Sequence, residues 1–340
     1  MNSAAVNGNR EADGKMKGIG ECMNKLFDCF DLEGIPVKMD NILQLTDAPD
    51  LVTDGSGDKY IGYEHIGANY SGNRRYIVEE RDRLIAGQIA ALTGSGVFLD
   101  LGCGDGCLTV PCAAEGIKII AGDISNAMLK ILQEKAGKNG VSLENTVLCR
   151  MNALDIPLKG ECVDTVAANS VLHLISNPQK VIDEIYRVLK VGGGFVCVDD
   201  APGGEKENRF DNSLYNELVS RFYREYWSGL NQYGVTPQKY SWKFDRHAYC
   251  MKVFDRWETR TVTRGNTYKI PLKEGFLPRL TSRGFSDQVN VPQEIHREIM
   301  DALLEKFADW YGEDFADIAY MGTEDDIVIT IYIKFTREAH

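Results

Sequence analysis

The stretch that decides the fold is Val97-Phe98-Leu99-Asp100-Leu101-Gly102-Cys103-Gly104-Asp105-Gly106. Its apolar first half predicts a strand buried on both faces, as in parallel sheets covered by helices. Its second half has glycine at every second position, which predicts a turn whose backbone approaches a ligand closely. Open α/β sheets hold nucleotide-like ligands at such strand ends. A tight turn without a ligand is the alternative interpretation.

A second predicted strand ends in an acidic residue, Asp123, about one helix and one strand beyond the glycine turn. A carboxylate at this strand end can accept hydrogen bonds from both hydroxyls of a ribose, which indicates an adenosine-containing ligand. The alternative is that Asp123 caps the helix that follows. The dinucleotide-binding pattern requires a third glycine where this chain has Cys107, so the spacing disfavours NAD.

The pattern D-x-G-x-G-x-G at residues 100–106 resembles the first motif of class I S-adenosylmethionine-dependent methyltransferases. Residues 162–173 and 184–195 resemble the fourth and fifth elements of the small-molecule methyltransferases called type 11. The resemblance covers about residues 60–200, with Val191 standing where the family usually has proline. It implies an α/β fold, namely a Rossmann-like, doubly wound, seven-stranded sheet, here with an aromatic-rich inserted cap.

The resemblance also implies the cofactor, S-adenosylmethionine, and its product, S-adenosylhomocysteine. The expected cofactor contacts run from the methionine end, through the ribose and the adenine, to the reacting centre. In that order they are Tyr70, Asp100, Gly102 and Gly104, then Asp123, then Ile124, Met128, Asn152 and Ala153, and finally Asn169. Because an amide oxygen accepts hydrogen bonds, Asn152 can replace the acid that the family often has near the adenine amino group.

His173 and Tyr70 are the candidate catalytic residues. The alternative for His173 is a helix-start residue that forms local hydrogen bonds, and Tyr70 can instead pack on the cofactor. The candidate substrate contacts lie in the segment before the first strand, at the end of the fifth strand and in the aromatic block. They are Tyr63, His65, Asp200, Tyr226 and Trp242.

The chain divides into five predicted segments. They are a disordered tail at 1–17, an N-terminal helical or lid segment at 18–75, the cofactor-binding core at 76–202, an inserted cap at 203–256, and strands and helices completing the sheet at 257–340. The cap is predicted from eleven aromatic residues between Phe210 and Tyr249. Such a block can form a substrate lid, ordinary core or a subunit contact, so a homodimer is compatible with it.

The amino-acid composition disfavours several classes of function. The 340 residues carry a net charge of −12, which disfavours nucleic acid as a partner because its phosphates require a basic surface. The nine cysteines have no zinc-binding spacing, so we expect no metal and a reducing, cytoplasmic environment. No apolar run of 18 residues occurs, so we expect no membrane span.

These features together predict a methyltransferase that acts on a small-molecule acceptor by in-line transfer. The contribution of the protein would be positioning and desolvation, since the cofactor carries the reactive group. Two alternatives remain at this stage: an NAD-dependent oxidoreductase, and a protein that binds S-adenosylmethionine without catalysis.

Overall fold

The computed structural model describes residues 25–30, 42–45, 78–199, 210–237, 243–262, 267–288, 290–323 and 327–335. Within these ranges an eight-stranded sheet forms the centre of the molecule, and a two-stranded sheet lies apart from it. The central strands are β1 (Leu43–Gln44), β2 (Val97–Leu101), β3 (Lys118–Asp123), β4 (Thr146–Arg150), β5 (Val163–Ala167), β6 (Leu189–Asp199), β7 (Arg256–Val262) and β10 (Ile327–Ile333). The outer sheet pairs β8 (Thr267–Pro271) with β9 (Ala319–Thr323).

The central sheet has the order β1-β4-β3-β2-β5-β6-β10-β7, and β10 runs antiparallel to both of its neighbours. The predicted seven-stranded, doubly wound sheet is confirmed, with the two-residue β1 as an additional edge strand. Strands β3 and β4 extend the sheet to one side of β2, whereas β5 and β6 extend it to the other. The carboxyl ends of β2 and β5 therefore border the crevice where open α/β sheets bind ligands.

Helices cover both faces of the central sheet. Those flanking it are α1 (Val78–Thr93), α2 (Thr109–Ala114), α3 (Asn126–Lys138), α4 (Pro178–Val188) and α6 (Arg246–Val253). Because strand residues alternate between faces, Phe98 packs in one core with Ile89 of α1 and Leu132 of α3. Leu99 packs in the opposite core with Ile185 of α4. The β2 strand is buried on both sides for this reason.

A third core lies outside the sheet. It joins α5 (Ser213–Gln232), α7 (Phe276–Thr281) and α8 (Gln293–Tyr311) through Phe222, Leu280 and Phe307. The ring centroids of Phe222 and Phe307 are 4.4 Å apart, which places α5 directly against α8. We call α5 together with residues 267–288 and 290–323 the cap.

The composition of the cap corrects the predicted segment boundaries. Helix α6 falls inside the predicted cap, yet its Cys250 packs in the core beneath the sheet. Conversely, most of the segment between β7 and β10 belongs to the cap and not to the sheet. The reason is geometric, because β6 and β7 both end beside the start of β10. The segments that follow β6 and β7 therefore both leave the sheet at its carboxyl edge. The predicted segments 1–17 and 18–75 lie almost entirely outside the described residues.

Candidate active site

A cavity of about 260 Å³ lies between the carboxyl ends of the strands and the cap. On the sheet side it is lined by residues that follow β2, β3, β4 and β5. Among them are Gly102, Gly104, Asp123, Ile124, Met128, Met151, Asn152, Ala153, Asn169 and His173. On the cap side it is lined by Tyr223, Arg279, Phe285 and Asp287, which we call the cap wall. Sheet and cap therefore enclose one common space.

The three glycines of the turn all have positive φ, at 70°, 54° and 80° for Gly102, Gly104 and Gly106. Their surroundings differ. A Cβ on Gly102 would collide with Val171, and a Cβ on Gly106 would collide with Leu132 of α3. A Cβ on Gly104 would meet nothing within 4 Å and would enter the cavity. Gly102 and Gly106 thus permit close packing, whereas Gly104 leaves open space for a ligand.

Asp123, at the end of β3, is held at the cavity wall by two backbone groups. Its Oδ2 accepts a hydrogen bond from the Gly104 amide at 2.9 Å, and its Oδ1 accepts one from the Ser125 amide at 2.8 Å. The carboxylate therefore ties the glycine turn to the start of α3. Because a carboxylate oxygen can accept two hydrogen bonds, each can serve a ribose hydroxyl beside its backbone partner.

Apolar side chains continue the cavity beyond Asp123. Ser125 caps α3 by accepting a hydrogen bond from the Met128 amide at 3.2 Å, which fixes Met128 at the cavity next to Ile124. On the opposite side, Asn152 accepts a hydrogen bond from the Leu154 amide at 3.0 Å through the oxygen predicted to face adenine. That oxygen has a second lone pair for a ligand.

Asp100 is placed differently from its prediction. It does not line the cavity but lies buried beneath the glycine turn, where Thr109 of α2 donates a hydrogen bond to its Oδ2 at 2.6 Å. Strand alternation explains the correction, because Leu101 faces the cavity and its neighbour Asp100 faces the opposite side. Burial raises the pKa of the Asp100 carboxyl to about 7, although the Thr109 hydrogen bond opposes the shift.

The turn after β5 closes the far end of the cavity. Ser170 has a φ of 59°, a conformation that residues other than glycine adopt rarely. This turn brings Val171 over Gly102, and it places Asn169 and His173 on the cavity surface. His173 stands in a short 3-10 helix, Leu172–Leu174.

The cap wall is polar and fixed in position. The Tyr223 hydroxyl donates a short hydrogen bond to Oδ2 of the buried Asp287. Burial, followed by this hydrogen bond to Asp287, raises the pKa of Tyr223 far above its usual value. The Arg279 guanidinium lies 4.3 Å from the centroid of the Phe285 ring, and its Nε donates to the Gly284 carbonyl at 3.4 Å.

Tyr226 does not line the cavity, which corrects its prediction as a substrate contact. It is fully buried in the cap, where its hydroxyl lies 2.8 Å from Nδ1 of His296 and accepts a hydrogen bond from Gln288 at 3.1 Å. His296 Nε2 lies 2.8 Å from the Thr281 carbonyl, so Nε2 carries the proton and Tyr226 donates to Nδ1. Burial lowers the pKa of His296, consistent with a neutral ring.

Five sequence-predicted site residues lie outside the described part of the chain: Tyr63, His65, Tyr70, Asp200 and Trp242. Conversely, sequence reasoning missed Met151 and the whole cap wall. Met151 follows β4 directly, so its position at a strand end was a usable signal. The cap wall had none, because Tyr223 is distant in sequence from the other three residues, and the packing of these two parts of the chain is not encoded in a local pattern.

The described residues also bear on metal binding and on membrane insertion. Among those residues, no group of three or more His, Cys, Asp or Glu side chains could hold a metal ion. In the same ranges, the helices are all too short or too polar to cross a membrane.

The residues at the cavity fit S-adenosylmethionine. Gly104 leaves open space beside the turn, Asp123 presents hydrogen-bond acceptors for a ribose, and Ile124 and Met128 offer an apolar surface to an adenine. Cys107 lies in the same cavity with its pKa raised by burial to about 12, so this thiol is a neutral group.

Residues 99–197 match the family described as a methyltransferase domain. Demethylmenaquinone methyltransferase of Symbiobacterium thermophilum is 31% identical over 121 residues, which are 35% of this chain and 48% of that protein. The enzyme of the same name from Lactiplantibacillus plantarum is 34% identical over 111 residues, 32% of this chain and 46% of that protein. The chain thus spans about half the length of the curated relatives it matches.

Two solved structures align with most of this chain. The YcgJ protein of Bacillus subtilis aligns over 76% of this chain and 99% of its own, with 16% identity and a TM-score of 0.44. Phosphoethanolamine N-methyltransferase 2 of Haemonchus contortus aligns over 81% of this chain and 57% of its own, with 16% identity and a TM-score of 0.41. The family match itself runs from β2 to β6, the strands around the glycine turn and Asp123. Residues 99–197 of this chain are thus similar to methyltransferase domains.

Proposed function

We propose that this protein transfers a methyl group from S-adenosylmethionine to a small molecule held between the sheet and the cap. The observation that carries the proposal is that Gly104, Asp123 and the cap wall line one cavity. An acceptor must approach the methyl carbon in line with the leaving sulfur, so donor and acceptor need one enclosed space.

Bound S-adenosylmethionine supplies an electrophilic methyl group on a sulfonium sulfur. Asp123 is proposed to hold the ribose hydroxyls, while Ile124 and Met128 pack on the adenine. Asn169 lies at the far end of the cavity, where the methionine portion and the acceptor would meet. The Asp123 carboxylate is already held by the Gly104 and Ser125 amides, which limits the reorganisation that binding requires.

The proposed contribution of the protein to catalysis is to position the acceptor and to exclude water. The cap wall faces the sheet across the cavity, so an acceptor held there would be contacted from both sides. His173 remains a candidate for orienting the acceptor, since it lines the cavity. The roles of Tyr63, His65, Tyr70, Asp200 and Trp242 remain proposals from the sequence.

A small acceptor is supported by the size of the cavity and by the relatives. The curated relatives are named demethylmenaquinone methyltransferases, so their names describe a small organic acceptor. The similarity to them covers 32–35% of this chain, and the cap lies outside the matched family domain. The acceptor is therefore proposed from the cap of this chain and not from the relatives.

Thermal unfolding with added ligands tests the proposed cofactor. S-adenosylhomocysteine should raise the melting temperature, because a ligand that binds only the folded state stabilises it by mass action. NAD should leave it unchanged. A shift with NAD and none with S-adenosylhomocysteine would instead support the oxidoreductase. Binding without any turnover of S-adenosylmethionine across a panel of acceptors would support a non-catalytic binding protein.

Asp123→Ala tests the assigned cofactor contact. Losing hydrogen bonds to a charged acceptor costs roughly 1.5–3 kcal/mol, so the Kd for S-adenosylhomocysteine should rise about tenfold to a hundredfold. Asp155→Ala is the matched control, since Asp155 is an exposed carboxylate that does not line the cavity. Equal affinities of the two variants, measured by titration calorimetry, would contradict the assignment.

A further inference from the structure

Resting on the proposed function, we infer that the cap wall is the acceptor subsite. It selects a small acid that carries both a carboxylate and a hydroxyl or amine. In this arrangement Arg279 holds the carboxylate, and the Tyr223 oxygen accepts a hydrogen bond from the group to be methylated.

The direction of the Tyr223 hydrogen bond determines what this side chain can offer. Its hydroxyl proton is donated to Asp287, so any further hydrogen bond that this hydroxyl forms with a ligand must be accepted by its oxygen. Burial and then Asp287 raise the pKa of Tyr223, and Trp227 opposes the shift only in part, so the phenol stays protonated. Tyr223 is thus a neutral hydrogen-bond acceptor and favours a ligand with an O–H or N–H at that point.

The segment opposite Tyr223 is held rigidly. The Phe285 amide donates to Oε1 of Gln288 at 3.1 Å, and Nε2 of Gln288 donates to the Leu280 carbonyl at 3.0 Å. The Phe285 ring meets the Tyr223 ring edge-on, with centroids 5.7 Å apart. The cap wall is therefore a preformed surface, and preformed surfaces lose little entropy when a ligand binds.

Arg279 sets the sign of the ligand charge. Its guanidinium covers a face of Phe285, so a cationic ligand approaching that ring would meet a positive charge. Its Nε bond to the Gly284 carbonyl fixes the orientation of the guanidinium, whose planar fork matches a carboxylate. Asp123 and Asp287 line the same cavity, as does Asp105, which is paired with Lys135 at 3.4 Å, so a carboxylate meets less repulsion there than a phosphate dianion would.

The test uses titration calorimetry on the full chain saturated with S-adenosylhomocysteine, which prevents turnover. The probes are 3-hydroxybenzoate, its neutral amide 3-hydroxybenzamide, and its O-methylated form 3-methoxybenzoate. We expect 3-hydroxybenzoate to bind at least about tenfold more tightly than the amide, since a charge-assisted pair is lost. We expect it to bind about two- to tenfold more tightly than the methoxy compound, since a neutral hydrogen bond is lost.

Two variants separate the two preferences. Arg279→Gln should abolish the preference for acid over amide and keep the preference for hydroxyl over methoxy. Tyr223→Phe should abolish the preference for hydroxyl over methoxy and keep the preference for acid over amide. The controls are Arg224→Gln, which removes an exposed charge from the same helix as Tyr223, and Tyr233→Phe, which breaks a surface hydrogen bond to Glu298. Both controls should keep both preferences.

Each variant is first titrated with S-adenosylhomocysteine alone. A wild-type protein that fails to bind S-adenosylhomocysteine overturns the proposed function, whereas normal binding isolates the acceptor question. If Arg279→Gln does not fold, Arg279→Met replaces it and should also lose the acid preference, because the positive charge is removed while an apolar stem is kept. Equal affinities of the wild type for acid and amide, no measurable binding of the acid, or an acid preference that survives both Arg279 substitutions overturns the inference.

Discussion

Gly104 and Gly94 share a backbone conformation but differ in what surrounds them. Their φ angles are 54° and 55°, and a Cβ on either would meet no atom within 4 Å. Gly104 lines the cavity, whereas Gly94 does not. Both Gly→Ala variants should lose about 1–2 kcal/mol of stability, because alanine is disfavoured in this conformation. Only Gly104→Ala should also weaken S-adenosylhomocysteine binding, as measured by calorimetry.

Gly94→Ala thus separates backbone strain from loss of ligand space. If the two variants weaken binding equally, the glycine turn does not contact the cofactor, and the ligand lies elsewhere in the cavity.

Asp100 makes stability depend on pH in a direction unusual for a carboxyl group. Burial raises its pKa from 3.8 to about 7, so the folded protein keeps a proton that the unfolded chain loses. The stability contributed by the protonated carboxyl is complete below about pH 4 and is lost as the pH rises through 7. Asp100→Asn removes this titration but keeps an oxygen that can accept the Thr109 hydrogen bond.

Urea unfolding of the ligand-free protein at pH 5 and pH 8 measures the effect of Asp100. The free energy of unfolding of the wild type, relative to Asp100→Asn, should fall by about 2.5 kcal/mol between these pH values. Other titrating groups cancel in the difference between the two proteins. A difference that is the same at both pH values would mean that Asp100 is already ionised at pH 5.

Within one turn of helix α5, one tyrosine lines the cavity and a second tyrosine supports the core of the cap. Tyr223 faces the cavity, whereas Tyr226, three residues later, bonds to His296 and Gln288 inside the cap. Tyr226→Phe leaves these buried partners unsatisfied and should cost about 1–3 kcal/mol in stability, measured by urea unfolding. The Kd for S-adenosylhomocysteine should not change. Tyr233→Phe, at the exposed end of the same helix, should cost less than about 0.5 kcal/mol.

If Tyr226→Phe instead weakens cofactor binding while leaving stability unchanged, the cap core would contribute directly to the cofactor site. That result would contradict the division of α5 described above.

At the scale of elements, the sequence predicts what local patterns encode. Strands β2 and β3 end in a glycine turn and an acid, and these local signals were sufficient to place Gly104 and Asp123 at one site. The partners of α5 were not predictable in this way. An amphipathic helix shows that it needs an apolar partner but not which one, and its partner α8 begins about sixty residues after α5 ends. For the same reason the sequence pattern led to Tyr226 as the predicted substrate contact, whereas the structure places Tyr223 at the cavity.

At the scale of the whole molecule, the position of the cap follows from the direction of three strands. The ends of β6 and β7 lie beside the start of β10 at the carboxyl edge of the sheet. The chain therefore leaves the sheet there after β6 and again after β7, and it re-enters there at β10. The two excursions then bury their apolar faces against one another over the crevice between β2 and β5. The cofactor cradle is thereby enclosed by a surface that belongs to a different part of the chain.

The measurement that tests this account most directly is a crystal structure of the full chain with S-adenosylhomocysteine. We expect the ribose at Asp123 and the adenine between Ile124 and Met128. We expect the sulfur to face the open part of the cavity toward Tyr223 and Arg279. A ligand bound elsewhere, or a sulfur atom that faces away from the cap wall, would contradict the central claim that donor and acceptor share this cavity.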